Sequence, residues 1–241
     1  MSTPLSQTQM LLELEPVVEE NLNRHLRMAK EWFPHEYVPW SEGRDFDGPL
    51  GGEAWTVEDS SMSDVARSAL IVNLLTEDNL PSYHHEIATL FGREAAWGDW
   101  VHRWTAEEGR HGIAIRDYLL TTRAVDPAEL ERLRMQHMST GYSNGHPDDM
   151  LASLAYVSFQ ELATRVSHRN TGKVADDPVA DQLLARVAAD ENLHMVFYRN
   201  LLGAALEISP DQAMRAITDC VKKFHFRSSG HTTSSWWMRR S

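Results

Sequence analysis

The sequence predicts an all-α chain, and three observations carry that prediction. Apolar residues recur at three- and four-residue steps over most of the 241 residues, the spacing of amphipathic helices. No convincing run alternates with period two, so strands are not expected. Two dipeptides, "DP" at 126–127 and "SP" at 209–210, join a capping residue to a proline at the first helical position.

Residues 8–32 read as the first helix, with Leu11, Leu14, Val18, Leu22 and Leu26 forming its apolar seam. Residues 41–62, rich in Gly, Asp, Ser and Pro, read as an irregular connector. Helical periodicity returns over 63–91, where Pro81 is expected to kink the helix. Further helices are predicted at 94–122, 126–138, 148–169, 177–206 and 210–224, several of them longer than the ordinary mean. One domain over 1–225 accounts for this pattern. From 226 to 241 apolar periodicity stops, Ser, Thr and Arg crowd together, and Trp236 and Trp237 stand side by side; a divergent, disordered tail is expected there.

Composition narrows the function. A net charge of −12 suits a cytoplasmic protein and argues against general affinity for nucleic acid or anionic membrane. The single cysteine, Cys220, allows no intrachain disulfide. The first residues, "MSTPLSQTQMLLELEPVVEENL", carry no basic leader and are interrupted by glutamates, so they do not read as a signal peptide. No stretch approaches the roughly 18 uninterrupted apolar residues of a membrane span.

Two segments hold the chemistry. "WTAEEGRHG" at 104–112 and "VAADENLHM" at 187–195 each place a glutamate three residues before a histidine: Glu108 and His111, then Glu191 and His194. On a helix, residues three apart lie about 4.5 Å apart along the axis and on nearly one face. A carboxylate and an imidazole so spaced can share a metal ion. A lone Glu-x-x-His proves little, but each pair has a companion: Glu77 lies 31 residues before Glu108, and Glu161 lies 30 before Glu191. These glutamates sit on apolar or small-residue faces. Glu77 shares one with Leu70, Asn73 and Leu80, and Glu161 one with Leu154, Val157 and Thr164. Glu191 falls between Val187 and Tyr198, and Glu108 follows Trp104 by a turn. A carboxylate on a face meant for the core is costly unless it is paired or metal-bound. Four glutamates against two divalent ions balance to near neutrality. The set matches the ferritin-like carboxylate bundle: one Glu from each of two helices and a Glu-x-x-His from each of two others. Oxygen and imidazole donors suit iron, with manganese as a substitute.

The segments "LLTEDNLPSYH" (74–84), "RWTAEEGRHG" (103–112), "SFQELATRVSHRNTG" (158–172) and "ADENLH" (189–194) resemble the soluble acyl-acyl-carrier-protein desaturases, most closely the mycobacterial branch. The resemblance runs from about residue 8 to 223 and implies a ferritin-like helical bundle with a four-helix di-iron core. It implies that Glu77, Glu108 and His111 serve one iron and Glu161, Glu191 and His194 the other, with Glu108 and Glu191 bridging. Thr164 matches a family threonine on the oxygen-binding side. Trp32 and Asp190 match residues that form, with His111, an electron path from the surface. The implied reaction is O₂-dependent formation of a cis double bond in a saturated acyl chain, within fatty-acid and mycolic-acid synthesis. The implied partners are acyl carrier protein, a ferredoxin-type donor and a second copy of the chain.

Acyl carrier protein is acidic, so docking onto an acidic chain calls for a local basic patch. Arg24, Arg27 and Lys30 recur at three-residue steps on the first predicted helix, the region where the family docks its carrier. Family members continue past this chain's last residues. A shortened, non-catalytic scaffold or dimer partner is therefore one alternative, and another di-iron oxidase, a ferroxidase, is a second. A ribonucleotide reductase small subunit would call for tyrosine one turn beyond the first ligand histidine, where this chain has Ile115.

Overall fold

Among residues 4–224, which the computed structural model describes, eight α-helices form: α1 Gln7–Met28, α2 Asp64–Asp78, α3 Leu80–Phe91, α4 Ala95–Thr121, α5 Pro127–Ser139, α6 Met150–Val174, α7 Pro178–Ile208 and α8 Pro210–Lys223. The tail expected over 226–241, with Trp236 and Trp237, lies outside the described residues. The helices start where short polar side chains can accept from free amides. Ser6 and Gln9 form a reciprocal capping box at α1, and Ser63, Asp126, Asp149 and Asp177 cap α2, α5, α6 and α7. Among the described residues the one β-type pairing is an isolated bridge between Phe46 and Glu53.

Several boundaries differ from the periodicity. The first helix stops at Met28, and Ala29 turns extended; Phe33, which precedes Pro34, is extended as well. Lys30 therefore leaves the helix and does not continue the Arg24–Arg27 row. Leu26 is exposed, and the seam closes instead on buried His25. The predicted kink at Pro81 is a complete break: α2 ends at Asp78, Asn79 caps it, and Pro81 sits in the first turn of α3, where no amide is needed. Leu80 thus opens α3 and does not extend the face of Glu77. Ser209 stands at the start of α8, but its hydroxyl meets the Gln212 side chain and not a backbone amide. Helix α6 runs to Val174 because its polar end is buried: Thr171 and Gly172 face α7, and a Cβ on Gly172 would meet Asp181 backbone at 3.2 Å.

Two apolar clusters form the core. One joins α1, α3, the N-terminal half of α4 (Trp97, Trp100, Val101, Trp104), the first turns of α6, the C-terminal half of α7 (Phe197, Tyr198, Leu201) and α8. The other joins α2, the C-terminal half of α4 (Ala114, Ile115, Tyr118, Leu119), the loop after it and the first turns of α7. Helices α4 and α6 run from the first cluster towards the second, while α2 and α7 run the opposite way. The stretch of each helix between the clusters carries polar residues, and these four stretches meet.

The later part of the connector over 29–63 is pinned by one buried side chain. Arg123, 2% exposed, follows α4 in the left-handed region at φ 52°. Its guanidinium donates to the carbonyls of Asp45, Glu53 and Ala54 and to the Asp59 carboxylate at 2.9 Å, and it lies 4.4 Å over the Phe46 ring. The hydrogen bond from Arg123 holds the Asp59 carboxyl below the usual carboxylate range. Replacing Arg123 by alanine would strand these carbonyls and should cost about 3 kcal/mol in urea unfolding. A depressed carboxyl stabilises above its unfolded pKa and loses that contribution in acid. Asp59→Asn should therefore lower the melting temperature at pH 7, and its difference from the unmodified chain should vanish as the pH falls below about 4.

Candidate metal centre

All six predicted ligands converge on the layer between the two apolar clusters. Glu77 comes from α2, Glu108 and His111 from α4, Glu161 from α6, and Glu191 and His194 from α7; all six are buried. They form two overlapping sets, Glu77–Glu108–His111–Glu191 and Glu108–Glu161–Glu191–His194, each with donor atoms within 4.8 Å of one another. Glu108 and Glu191 belong to both. His111 Nδ1 lies 3.6 Å from Glu77, 3.5 Å from Glu108 and 3.2 Å from Glu191. His194 Nδ1 lies 2.8 Å from Glu108 and 3.5 Å from Glu161.

Whether these residues suit a pair of cations can be read from their unsatisfied atoms. Glu108 Oε1, His111 Nδ1, Glu191 Oε1 and His194 Nδ1 are buried with no aligned hydrogen-bond partner. Such atoms are expensive inside a protein, and these four all face the same small space. Burial pushes the Glu161 carboxyl up, and repulsion from Glu191 and Glu108 pushes it further, well above its ordinary value. Burial would lower the His111 and His194 imidazoles, yet the surrounding carboxylates raise both well above theirs. Without cations, protons must neutralise the cluster. The donor set is carboxylate oxygen and imidazole nitrogen with no thiolate, which fits Fe or Mn.

The groups around the ligands are as ordered as the ligands. Each histidine turns its Nε2 to a carboxylate from the opposite helix: His111 of α4 to Asp190 of α7 at 3.4 Å, and His194 of α7 to Glu107 of α4 at 2.9 Å. Such partners fix ring orientation and leave the other nitrogen free for a metal. Trp32 donates to Asp190 at 2.7 Å, Arg110 donates to the same oxygen at 2.8 Å, and the Trp32 ring lies nearly parallel to His111 with centroids 6.3 Å apart. Thr164 Oγ1 is 2.5 Å from Glu191 Oε2. Trp104 donates to Glu161 at 3.0 Å, and His168 pairs with Glu77 at 2.8 Å.

The residues that sequence reasoning missed are Glu107, His25, His168 and Arg110. A signal existed for the first: an acidic residue stands immediately before the glutamate of each Glu-x-x-His pair, in "EEGRH" and in "DENLH". The other three lie far from their partners in sequence, and nothing in their neighbourhood marks them. Of the basic patch, Arg27 and Lys30 are exposed and Arg24 is half-buried, with Lys30 displaced beyond the helix end.

Because burial and neighbouring carboxylates favour the protonated form of Glu161, and those carboxylates favour the protonated forms of His111 and His194, incoming cations should compete with protons. Metal binding should release protons, read as a buffer-dependent heat in calorimetry, and should weaken as the pH falls. A raised imidazole stabilises below its unfolded pKa and loses that contribution as pH climbs. The metal-free chain should therefore lose thermal stability as pH rises from about 6.5, and metal should restore it.

The sequence profile of the fatty acid desaturase family matches residues 6–230. Over 224 residues the chain is 57% identical to a Mycobacterium tuberculosis protein named acyl-[acyl-carrier-protein] desaturase DesA1, covering 90% of this chain and 66% of that one. It is 37% identical to the stearoyl-[acyl-carrier-protein] 9-desaturase 6 of Arabidopsis thaliana, over 80% of this chain and 50% of the plant protein. The chain thus spans about half to two thirds of the length of these relatives. The X-ray structure of the acyl-ACP desaturase DesA2 from M. tuberculosis superposes with a TM-score of 0.77 at 32% identity, over 93% of this chain and 81% of that one. With the profile match spanning most of its length and the helical fold shared with DesA2, the chain belongs to the fatty acid desaturase family.

Proposed function

We propose that this chain is an acyl-[acyl-carrier-protein] desaturase that holds two iron ions and converts a saturated acyl chain to its cis-unsaturated product with O₂. The observation that supports this most is the pair of buried ligand sets sharing Glu108 and Glu191, in a chain of this family. An alkyl C–H bond has no acidity for a side-chain base to exploit, so reduced iron with O₂ has to supply the oxidant.

The chain's own residues do the rest. Glu77 and His111 would help to hold one ion and Glu161 and His194 the other, with Glu108 and Glu191 common to both donor sets. The apolar clusters above and below exclude water from the layer. Thr164, buried and 2.5 Å from Glu191, holds a hydroxyl proton at the edge of the ligand set. Trp32, Asp190 and His111 form one hydrogen-bonded line with Arg110 stacked 4.3 Å over the indole, and electrons enter along it from a ferredoxin-type donor. Tyr83, Ile87, Trp104, Val157, Tyr142 and Gln160 line a small cleft beside the ligand layer, and Trp104 links its wall to Glu161. Arg24, Arg27 and Lys30 offer cationic contacts to an acidic carrier protein. Exposed Leu162, Val166 and Val174 on α6 favour pairing with a second copy.

With iron loaded, carrier-bound stearoyl or a longer chain, reductant and O₂ should yield a monounsaturated product detectable by mass spectrometry. Glu108→Ala with Glu191→Ala should bind no iron and make none. A well-folded, iron-loaded chain that repeatedly oxidises Fe(II) and leaves the acyl chain intact would point to a ferroxidase, and binding of carrier without turnover would point to a scaffold. Trp32→Phe should slow turnover driven by a protein donor at least tenfold, while single turnover of chemically pre-reduced enzyme should keep its rate.

A further inference from the structure

The two halves of the centre are supported unequally. On the His111 side, Asp190 Oδ2 is shared by three donors: Trp32 at 2.7 Å, Arg110 at 2.8 Å and His111 at 3.4 Å. Arg186 takes Oδ1. Two guanidinium groups and an indole compete there for the charge that His111 would draw on, and the imidazole has the longest of the bonds.

On the His194 side, Glu107 Oε2 meets only two imidazoles, His194 and His25, each at 2.9 Å. Arg103 binds the other oxygen, Oε1, at 2.6 Å. His25 is 2% exposed, lies roughly parallel to His194 with ring centroids 5.7 Å apart, and rests edge-on against Trp100. Its Nδ1 faces no partner, so a neutral His25 carries its one proton on Nε2 and donates it to Glu107. With a metal bound, His194 would hold the same tautomer, Nε2–H to Glu107, with Nδ1 left for the ion beside Glu108 and Glu161. Both outer groups come from the first helix and the segment just after it: His25 for Glu107, Trp32 for Asp190.

We infer that Glu107, fixed by His25 and Arg103, is the positioning residue for His194 and makes the Glu161–His194 half of the centre the tighter of the two metal sites. A carboxylate that is short-bonded to the ligand's far nitrogen locks the ring and raises its basicity. The shorter bond and the single guanidinium on Glu107 give His194 more of that support than His111 receives. Loading is then ordered, with the first ion on the Glu161 side and the second on the Glu77 side. The same three groups, His25, Glu107 and His194, lie close enough to suggest a third ion. The Arg103 cation on Glu107 and the direct bond from each imidazole oppose that arrangement.

This inference rests on the two-ion reading, and anaerobic Fe(II) calorimetry on the full chain separates the two. The unmodified chain should take up two ions in two resolved steps. Glu107→Gln should weaken the tighter step by about 10- to 100-fold and leave the other in place, and Asp190→Asn should weaken only the looser step. Glu107→Gln also removes a negative charge, so His25 supplies the charge-neutral comparison: His25→Phe keeps a ring but no donor and should weaken the tighter step, whereas His25→Gln keeps a donor and should restore it. Circular dichroism and melting of the metal-free variants report folding, and if Glu107→Gln does not fold, the two His25 variants decide alone. Two equal steps in the unmodified chain, equal weakening of both steps by Glu107→Gln or His25→Phe, or a third bound ion would overturn the assignment. No bound iron at all would overturn the metal reading and the assignment with it.

Discussion

Four carboxylates held in one buried layer are the constraint on which the rest of this structure depends. Glu77, Glu108, Glu161 and Glu191 occupy positions that the helical repeat would otherwise give to apolar residues, and they face one another. Their mutual repulsion is tolerable only with compensating positive charge close by. The chain's own resources are two imidazoles, which neighbouring carboxylates push towards protonation, and the guanidinium groups of Arg103, Arg110 and Arg186 on Glu107 and Asp190, while His25 and His168 hydrogen-bond Glu107 and Glu77. Apolar clusters on both sides then keep water from relieving the strain. A fold that accepts this arrangement is built to receive cations.

The crossing of α4 and α7 turns this constraint into geometry. Each helix contributes a Glu-x-x-His pair and, one residue earlier, the acidic residue that aims the other helix's histidine. Neither half-site is complete on one helix, so the relative rotation and depth of α4 and α7 are specified by hydrogen bonds as well as by packing. The apolar residues above and below, Trp100 against Phe197 at one end and Ile115 beside Leu184 and Val187 in the other cluster, hold that crossing in place. The first helix closes it from outside. Pairing the middles of two long helices through side chains from the first helix and the segment after it ties fold stability to ligand position, because an error in one shifts the other.

The irregular connector serves the same end at one remove. Trp32 lies just past α1, and its indole reaches Asp190 only if the chain leaves the helix at Met28 and turns inward. Buried Arg123 pins the later part of the connector by collecting three carbonyls and a carboxylate. In this way a segment with almost no regular structure is held by polar bonds to the end of α4.

The sequence by itself determined the helices, most of their caps and the six candidate ligands, because these depend on short-range spacing. A glutamate and a histidine three residues apart share a helical face wherever the helix packs, and Asp126 caps α5 whatever surrounds it. The 31- and 30-residue separations identified the companion glutamates because antiparallel neighbours of similar length return to the same depth. What only the tertiary structure decided are the contacts between residues about 80 or more apart: His25 with Glu107, Trp32 with Asp190, His168 with Glu77. It also decided the break at Asn79 and the exit of Lys30 from the first helix. Periodicity says which face a side chain occupies, but the partner waiting on that face is set by how helices distant in sequence rotate and stack to bury their apolar sides. Sequence spacing therefore supplied the candidate ligands, and packing supplied the groups that aim them.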